Sequence, residues 1–323
     1  MGVRLLNTFI KKRGSKSGGL DKQHLSSLNG KTIAVDAMIY MYRFKGEGNL
    51  IESFYTLILL CLKYSINAYF VFDGKEVGEE KNQERSERKV KKRQTGEKII
   101  HLEEKIAELE SSKKLTPDEQ SLKAKLENDI KASKKNCVYI KNRDIRHVKK
   151  LVELCGFPVI NAEGEADEFC AILSKRKKVD AVLTEDMDLF AYGCVNVMRY
   201  LSLVHHTFVM YNIDKIMCSL KIDFPTFRSL CVLSGTDYNP NYKKRQDTNI
   251  FNVYRQVGMY YRTKHDNLYD YICNKKCDVD ALKNVEKMFI IDSTSDKVTE
   301  MKYNQEQFMC DELKIFLQKY NFF

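Results

Sequence analysis

Three short apolar runs that each stop at a carboxylate constrain this chain more than any other feature. "TIAVD" ends at Asp36, "AYFVFD" ends at Asp73, and "DAVLTEDMD" delivers Glu185, Asp186 and Asp188 directly after Val182 and Leu183. Runs of Val, Ile, Phe and Ala this short read as strands buried on both faces. Helical patterns lie between them, at Leu50 to Tyr64, Asp144 to Gly156 and Glu165 to Arg176. Strands alternating with helices predict an α/β fold with a central, mainly parallel sheet flanked by helices. In such sheets the site lies beyond the carboxyl ends of the strands, where these acids fall.

The stretch "VINAEGEADEFCAIL" adds more acids to the same edge. Glu163 and Glu165 stand two apart, and residues two apart do not share a helix face. Acids favour the first turn of a helix, which is the plain explanation of this segment. "FPVI" (Phe157 to Ile160) reads as one more short strand, and the helix is expected to start near Glu163. Glu163 then sits in the extended approach or at the cap, with Glu165 in the first turn. Off the regular helix, two such acids can converge on one point, and Gly164 and Ala166 leave room for a bulky ligand. With Asp36, Asp73, Asp186, Asp188 and Asp237 they form a sevenfold carboxylate cluster that would repel itself unless cations filled it. Hard oxygen ligands in this number suit Mg²⁺ or Mn²⁺. Two such ions held roughly 4 Å apart catalyse in-line attack on a phosphodiester. No Ser–His or Cys–His arrangement is apparent, and the lack of a Gly-rich phosphate loop argues against an NTPase.

Charge points to the substrate class. The 323 residues carry 54 Lys and Arg against 44 Asp and Glu, a net +10. The cations cluster: "RKVKKR" spans Arg88 to Arg93, "KRKK" spans Lys175 to Lys178, and Tyr242 to Lys264 holds six cations against one acid. A polyanion such as nucleic acid is the natural partner of such a surface. No run approaches the eighteen or so apolar residues of a membrane span. The N-terminus lacks a signal-peptide core, and Leu6 stands where a myristoylation motif wants Ser or Thr, so an intracellular protein is expected. Ten cysteines are scattered without paired spacing. "CNKKC" (Cys273, Cys277) has no second pair nearby, so zinc is not expected and the thiols should be reduced. His205 and His206 lie in an apolar, strand-like run and read as structural.

Between Asp73 and the Glu163 stretch lies an insertion, Lys75 to Lys135. Ile99, Leu102, Ile106 and Leu109 form an apolar helical stripe. "TPDE" (Thr116 to Glu119) is a capping box with Pro at the first helical position, and Leu122, Leu126 and Ile130 form the return stripe. This predicts a helical hairpin. Its first half is polar and basic, and is expected to be mobile or ordered only on a substrate. After Asp237 the chain reads as helical over Asn249 to Tyr261, Asn267 to Ile272 and Val279 to Ile291, with a last helix in "DELKIFLQKYNFF" that ends in exposed aromatics.

Taken in order, "VDAMIYMY" from Val35, "VFDGK" from Val71, "RSER" from Arg85, "AEGEADE" from Ala162, "TEDMDLFAYG" from Thr184 and "LSGTDY" from Leu233 resemble the flap-endonuclease family, the XPG-like structure-specific 5′ nucleases. The resemblance covers about residues 1–240. It implies a nuclease core over 1–74 and 136–240, a helical arch over 75–135 and a duplex-binding helical region over 241–323. It implies hydrolysis of DNA at 5′ flaps, nicks, gaps or ends with two Mg²⁺, for which Mn²⁺ may substitute, in replication, repair or recombination. Asp36, Asp73, Glu163, Glu165, Asp186, Asp188 and Asp237 match the family's metal-site acids. Arg85 matches the arginine that reaches the scissile phosphate, and Lys81, one turn earlier, is the candidate catalytic lysine. Tyr42 falls where an aromatic stacks beside the cut, with Tyr40 the competing choice. Gly2 would pack near the active site once Met1 is removed. Arg88, Lys89, Lys91, Lys92 and Arg93 on the arch are further DNA-binding candidates.

The departures matter too. "NPNYKKRQDTNIFN" (Asn239 to Asn252) has no glycine where the family binds K⁺ in a helix–turn–helix. That leaves the K⁺ site in doubt, and Lys243, Lys244 and Arg245 become candidates to grip phosphates. Gln318 and Phe322-Phe323 do not have sliding-clamp spacing. Polymerase, ligase or recombination proteins are the expected partners of a monomer with no membrane contact. It would act in the nucleus or at a cytoplasmic replication site, and the compact C-terminus suits a virus or other reduced genome. The alternatives are a PIN-like ribonuclease and a catalytically weak DNA-junction-binding protein. PIN-like domains generally lack the long basic arch present here.

Overall fold

The structure is a computed structural model. It describes residues 2–74, 82–110, 116–239, 242, 248–263, 265, 267–273, 278–291, 311–320 and 322. Seven strands form one sheet: β1 Leu20–His24, β2 Thr32–Asp36, β3 Asn67–Phe72, β4 Val159–Asn161, β5 Ala181–Leu183, β6 Asn196–Ser202 and β7 Thr207–Asn212. Their order is β1-β7-β6-β5-β2-β3-β4. The five strands from β6 to β4 run parallel, as the apolar runs predict, while β7 and β1 continue the sheet antiparallel. The β6–β7 hairpin is not legible in the sequence. It places His205 and His206 in its turn rather than in a strand, with the His206 ring against Tyr64.

Around the sheet, in chain order, lie α1 Leu6–Phe9, α2 Ala37–Gly46, α3 Leu50–Lys63, α4 Asn82–Glu110, α5 Pro117–Asn136, α6 Asn142–Leu154, α7 Ala166–Lys175 and α8 Asp188–Tyr192. They are followed by α9 Ile213–Leu220, α10 Phe224–Ser234, α11 Ile250–Tyr260, α12 Leu268–Cys273, α13 Val279–Met288 and α14 Asp311–Gln318. Alternation along each strand feeds two cores. Ile33, Val35, Phe70, Phe72, Ala181 and Leu183 face one layer, with α2, α3, α6 and α14. Ala34, Val71 and Val182 face the other, with α1 and α7 to α13. Each fully buried Leu or Phe contributes roughly 1.5–3 kcal/mol relative to exposure, so a sheet covered on both faces is the favoured outcome for these runs.

The insertion departs from expectation in its first half. Helix α4 begins at Asn82, so the basic segment continues as backbone helix into the apolar part of the arm. Arg, Lys, Glu and Gln are good helix formers, and Arg93 pairs with Glu97 one turn on. Helix α5 returns along α4 through Ile99, Leu102 and Ile130, with Ile106 and Leu126 beside them. The capping box forms as read. The Thr116 N–H donates to Glu119 Oε2 at 2.7 Å, and the Glu119 N–H donates to Thr116 Oγ1 at 3.3 Å. The last aromatics also depart from expectation. Leu313 and Leu317 bury one face of α14 against the α3–α6 layer. Tyr320 then bonds His147, and the Phe322 ring meets Tyr55 edge-on at 5.4 Å.

Candidate active site

The parallel strands switch direction of succession between β2 and β5: β3 and β4 follow on one side, β6 on the other. A crevice opens at such a switch point, beyond the carboxyl ends of the strands. Asp36 closes β2 and caps α2, accepting the Ile39 N–H at 3.3 Å. Thr184, fully buried just past β5, reaches across the switch point. Its Oγ1 donates to Asp36 Oδ2 at 2.9 Å and accepts the Asp186 N–H at 3.1 Å. Asp186 Oδ1 in turn accepts the Asp188 N–H at 3.0 Å, where α8 begins.

The ends of β3 and β4 are tied together in the same way. The Gly74 N–H donates to the Gly164 carbonyl at 2.8 Å, and Asp73 Oδ1 accepts the Ala166 N–H at 2.9 Å. Helix α7 starts at Ala166, so Glu165 is its cap residue rather than part of the first turn, and Glu163 lies in the bend before it. That is how two acids two apart both serve one edge. Three helix N-termini, of α2, α7 and α8, point at the carboxylates and offset part of their charge. Asp237, buried, follows α10, and its neighbour Tyr238 donates to Glu165 Oε2 at 3.4 Å and meets the Tyr192 hydroxyl at 2.9 Å. Gly2 lies against the opposite wall: a Cβ there would stand 2.4 Å from Asp186 Oδ1 and 2.8 Å from Asp188 Oδ1.

Electrostatics mark the crevice as a place that wants positive charge. Burial pushes the Asp36 carboxyl up from 3.8 to about 7; the bonds from Thr184 and Ile39 oppose this, and the charges of Asp73 and Asp186 add to it. Among the described residues, no three of these side chains close round a common point as they stand. Protein donors from Ile39, Thr184, Ala166, Asp188 and Tyr238 hold them instead. The donor set is made of hard carboxylate oxygens in a mutually repelling cluster, and this chemistry fits a divalent metal.

The remaining sequence candidates divide. Tyr40 is fully buried with its hydroxyl 3.4 Å from Glu185, so it is a core residue and cannot stack on a base; Tyr42 is 39% exposed. Arg85, Arg88, Lys89, Lys91 and Lys92 lie on α4, with side chains outside the described part, and Arg93 is exposed. Lys81, Lys243, Lys244 and Arg245 lie outside the described residues. Glu185, next to the site in sequence, faces away. It pairs with buried Arg199 at 3.5 Å and Arg43 at 3.8 Å and accepts the Tyr200 N–H at 2.7 Å. Sequence reasoning missed Thr184 and Gly74. The signal for Thr184 was a hydroxyl between an apolar run and an acid pair. The signal for Gly74 was a glycine directly after a strand-end aspartate.

Comparison with known proteins agrees with this architecture. Residues 1–95 match the XPG N-terminal domain and residues 156–237 match the XPG I-region, together more than half of the chain. A probable RAD2-like endonuclease of invertebrate iridescent virus 6 is 28% identical over 286 residues, covering 75% of this chain and 68% of the relative. Flap endonuclease 1 of Debaryomyces hansenii is 27% identical over 294 residues, covering 85% and 70%. The solved catalytic core of Rad2, in complex with DNA substrate, superposes with a TM-score of 0.66 at 21% identity, over 98% of this chain and 95% of that one. Among the described residues, no helix is long and apolar enough to cross a membrane. With both regions of the family matched in order, and with the carboxylates of those two regions meeting at one switch point, this chain belongs to the XPG-like flap-endonuclease family.

Proposed function

We propose that this protein is a structure-specific 5′ nuclease that hydrolyses DNA phosphodiesters at 5′ flaps and related ends, using two Mg²⁺ for which Mn²⁺ substitutes. The observation that carries this reading is the carboxylate crevice at the β2–β5 switch point, flanked by a basic helical arm. Asp36, Asp73, Glu163, Glu165, Asp186, Asp188 and Asp237 would hold the ions. Ions held there would supply Lewis-acid chemistry, a more acidic water and stabilisation of a leaving oxygen. The chain's own residues then position the strand. Arg85, near the start of α4, is the candidate for a bidentate contact to the scissile phosphate, and Lys81 the candidate beside it. Tyr42 is the aromatic available to stack on the neighbouring base. The helices after Asp237 are the candidate grip on duplex DNA, with Lys243, Lys244 and Arg245 as phosphate contacts in place of a K⁺ site.

The arm supplies a test. If α4 and α5 guide a single-stranded 5′ end past the carboxylates, only ends able to enter are cut quickly. A labelled flap with a free 5′ end is compared with the same flap carrying streptavidin there before or after enzyme is added. Pre-blocking should slow cleavage at least tenfold, by the logic of a gate that must be passed before chemistry, and later blocking should not. Equal rates for free and pre-blocked flaps would leave the arm as a clamp beside the strand. Failure to cut any flap, nick, gap, blunt-end or bubble DNA in Mg²⁺ would remove the nuclease reading altogether.

Gly2 gives a second expectation. It has φ +80°, and alanine there places a Cβ on Asp186 and Asp188. Gly2→Ala should lower the single-turnover rate by about 10²-fold, the typical cost of misplacing reacting groups by an ångström. Gly30 has φ +72° and nothing within 4 Å of its notional Cβ. Gly30→Ala therefore carries the same backbone strain and should lose stability without losing rate. Similar rates in the two variants would separate Gly2 from the site.

A further inference from the structure

Residues 1–20 contain five cations and no acid. Helix α1 runs on into one turn of π-helix, Ile10–Gly14, which carries Lys11, Lys12 and Arg13, with Lys16 just beyond; all four are exposed. The underside of this segment is fixed. Phe9 is fully buried, edge-on to Phe251 at 5.4 Å and to Tyr254 at 5.1 Å. A Cβ on Gly14 would stand 3.0 Å from Ile216 on α9. The upper side is arranged rather than loose. Lys11 Nζ lies 4.5 Å from the centre of the Tyr200 ring on β6, and Lys12 Nζ lies 5.8 Å from the Phe251 ring on α11. Aromatic faces hold cations without neutralising them. Elsewhere lysines are spent on carboxylates: Lys45 on Asp144, Lys123 on Glu110 and Lys150 on Glu312. Among the described residues, Lys11, Lys12, Arg13 and Lys16 hold none.

We propose that Lys11 and Lys12, with Arg13 and Lys16 beside them, form a cationic saddle that binds the phosphate backbone of duplex DNA next to the carboxylate crevice. This rests on the nuclease reading above, because the saddle's position is what assigns its ligand. The segment starts at Gly2 against Asp186, and the Arg4 N–H donates to the Gly235 carbonyl two residues before Asp237. Lys11 rests on the Tyr200 ring, and the Tyr200 N–H donates at 2.7 Å to Glu185, the residue directly before Asp186. The saddle spans from Tyr200 on the β6–β7 hairpin to Phe251 on α11. A duplex whose scissile phosphate sits at the carboxylates and which continues toward α11 would find the saddle beside it, because the same segment touches Asp186 through Gly2 and α11 through Phe9 and Lys12. The carboxylates repel that backbone, and the saddle would supply compensating positive charge. Packing alone would explain a lysine laid on one ring. It does not explain four exposed cations without a carboxylate on a segment anchored at the site.

The test is the salt dependence of binding. A fluorescent flapped duplex and a single strand of equal length are titrated with full-length protein between 50 and 200 mM salt, without divalent ions so that nothing is cut. Each phosphate contact contributes about 0.9 to the slope of log affinity against log salt. Lys11→Gln with Lys12→Gln should lower the magnitude of the duplex slope by about two and leave the single-strand slope unchanged. Lys11→Arg with Lys12→Arg should keep the duplex slope, and thermal unfolding should be the same for all three proteins. An unchanged duplex slope in the glutamine variant overturns the saddle. A slope that falls equally in the arginine variant also overturns it, since packing and not charge would then be responsible. An equal fall on the single strand overturns the duplex assignment. A wild-type protein that binds and cuts flaps while the glutamine slope stays put sinks this proposal alone. A wild-type protein that neither binds nor cuts sinks the nuclease reading.

Discussion

Asp186→Ala should lower the single-turnover rate of flap cleavage by a factor on the order of 10³ while leaving DNA affinity equal or higher. The magnitude is that of removing one preorganised group whose effect is concentrated in the transition state. Asp186 sits past the end of β5, its charge is one of those that raise the Asp36 carboxyl, and its Oδ1 holds the Asp188 N–H. Alanine removes a donor from the cation site and releases Asp188 from its position. It also removes a negative charge from a crevice that must accept a phosphodiester, so ground-state binding does not suffer. The measurement is pre-steady-state cleavage at saturating enzyme in Mg²⁺, alongside anisotropy of the same flap. A rate within a factor of a few of wild type, or full wild-type activity in excess chelator, sinks the metal assignment.

Gly74→Ala should damage both stability and rate. A Cβ at Gly74 would stand 2.2 Å from the carbonyl oxygens of Ala162 and Glu163. These are backbone atoms, held by the Gly74 to Gly164 bond and by the Ala162 N–H to the Phe72 carbonyl at 2.9 Å. Relief therefore requires the end of β3 and the β4–α7 bend to separate, which moves Asp73 away from Glu163 and Glu165. Overpacking of this kind costs about 3 kcal/mol. In a chain this size that is roughly 4–5 °C in Tm. The rate should fall by about 10²-fold or more, because the two walls of the site shift relative to each other. Gly96 lies on exposed α4 with nothing within 4 Å of its notional Cβ, and Gly96→Ala should be neutral or stabilising by up to about 1 kcal/mol. Equal melting temperatures for the two variants would show that the β3–β4 junction yields at little cost.

Both substitutions act where local signals and long-range packing meet. "TIAVD" and "AYFVFD" are strands because β-branched and aromatic runs of that length have no stable alternative to burial on two faces. The Thr116 to Glu119 box formed as read because its bonds close within four residues. The hairpin of β6 and β7 escaped reading because its pairing depends on a partner strand, and β1 lies nearly two hundred residues earlier in the chain. The arm's basic half is helical from Asn82 because it continues a helix that packs on α5, a stabilisation invisible to local polarity. Tyr40 and Tyr42 are alike in composition and two positions apart on α2; burial separates them, since only one face of that helix meets the sheet.

Which residue types stand at the carboxyl ends of the strands is legible locally, and with it the dense acidic edge on a parallel sheet. Short-range sterics and hydrophobic periodicity suffice for that much. Which carboxylates share a crevice depends on the packed fold. The order β3-β2-β5 brings Asp36 beside Thr184 across 148 positions of chain. The turn after β5 aims Asp186 inward and Glu185 outward to Arg199. Sidedness and proximity of this kind come from sheet order and packing, which no local pattern encodes.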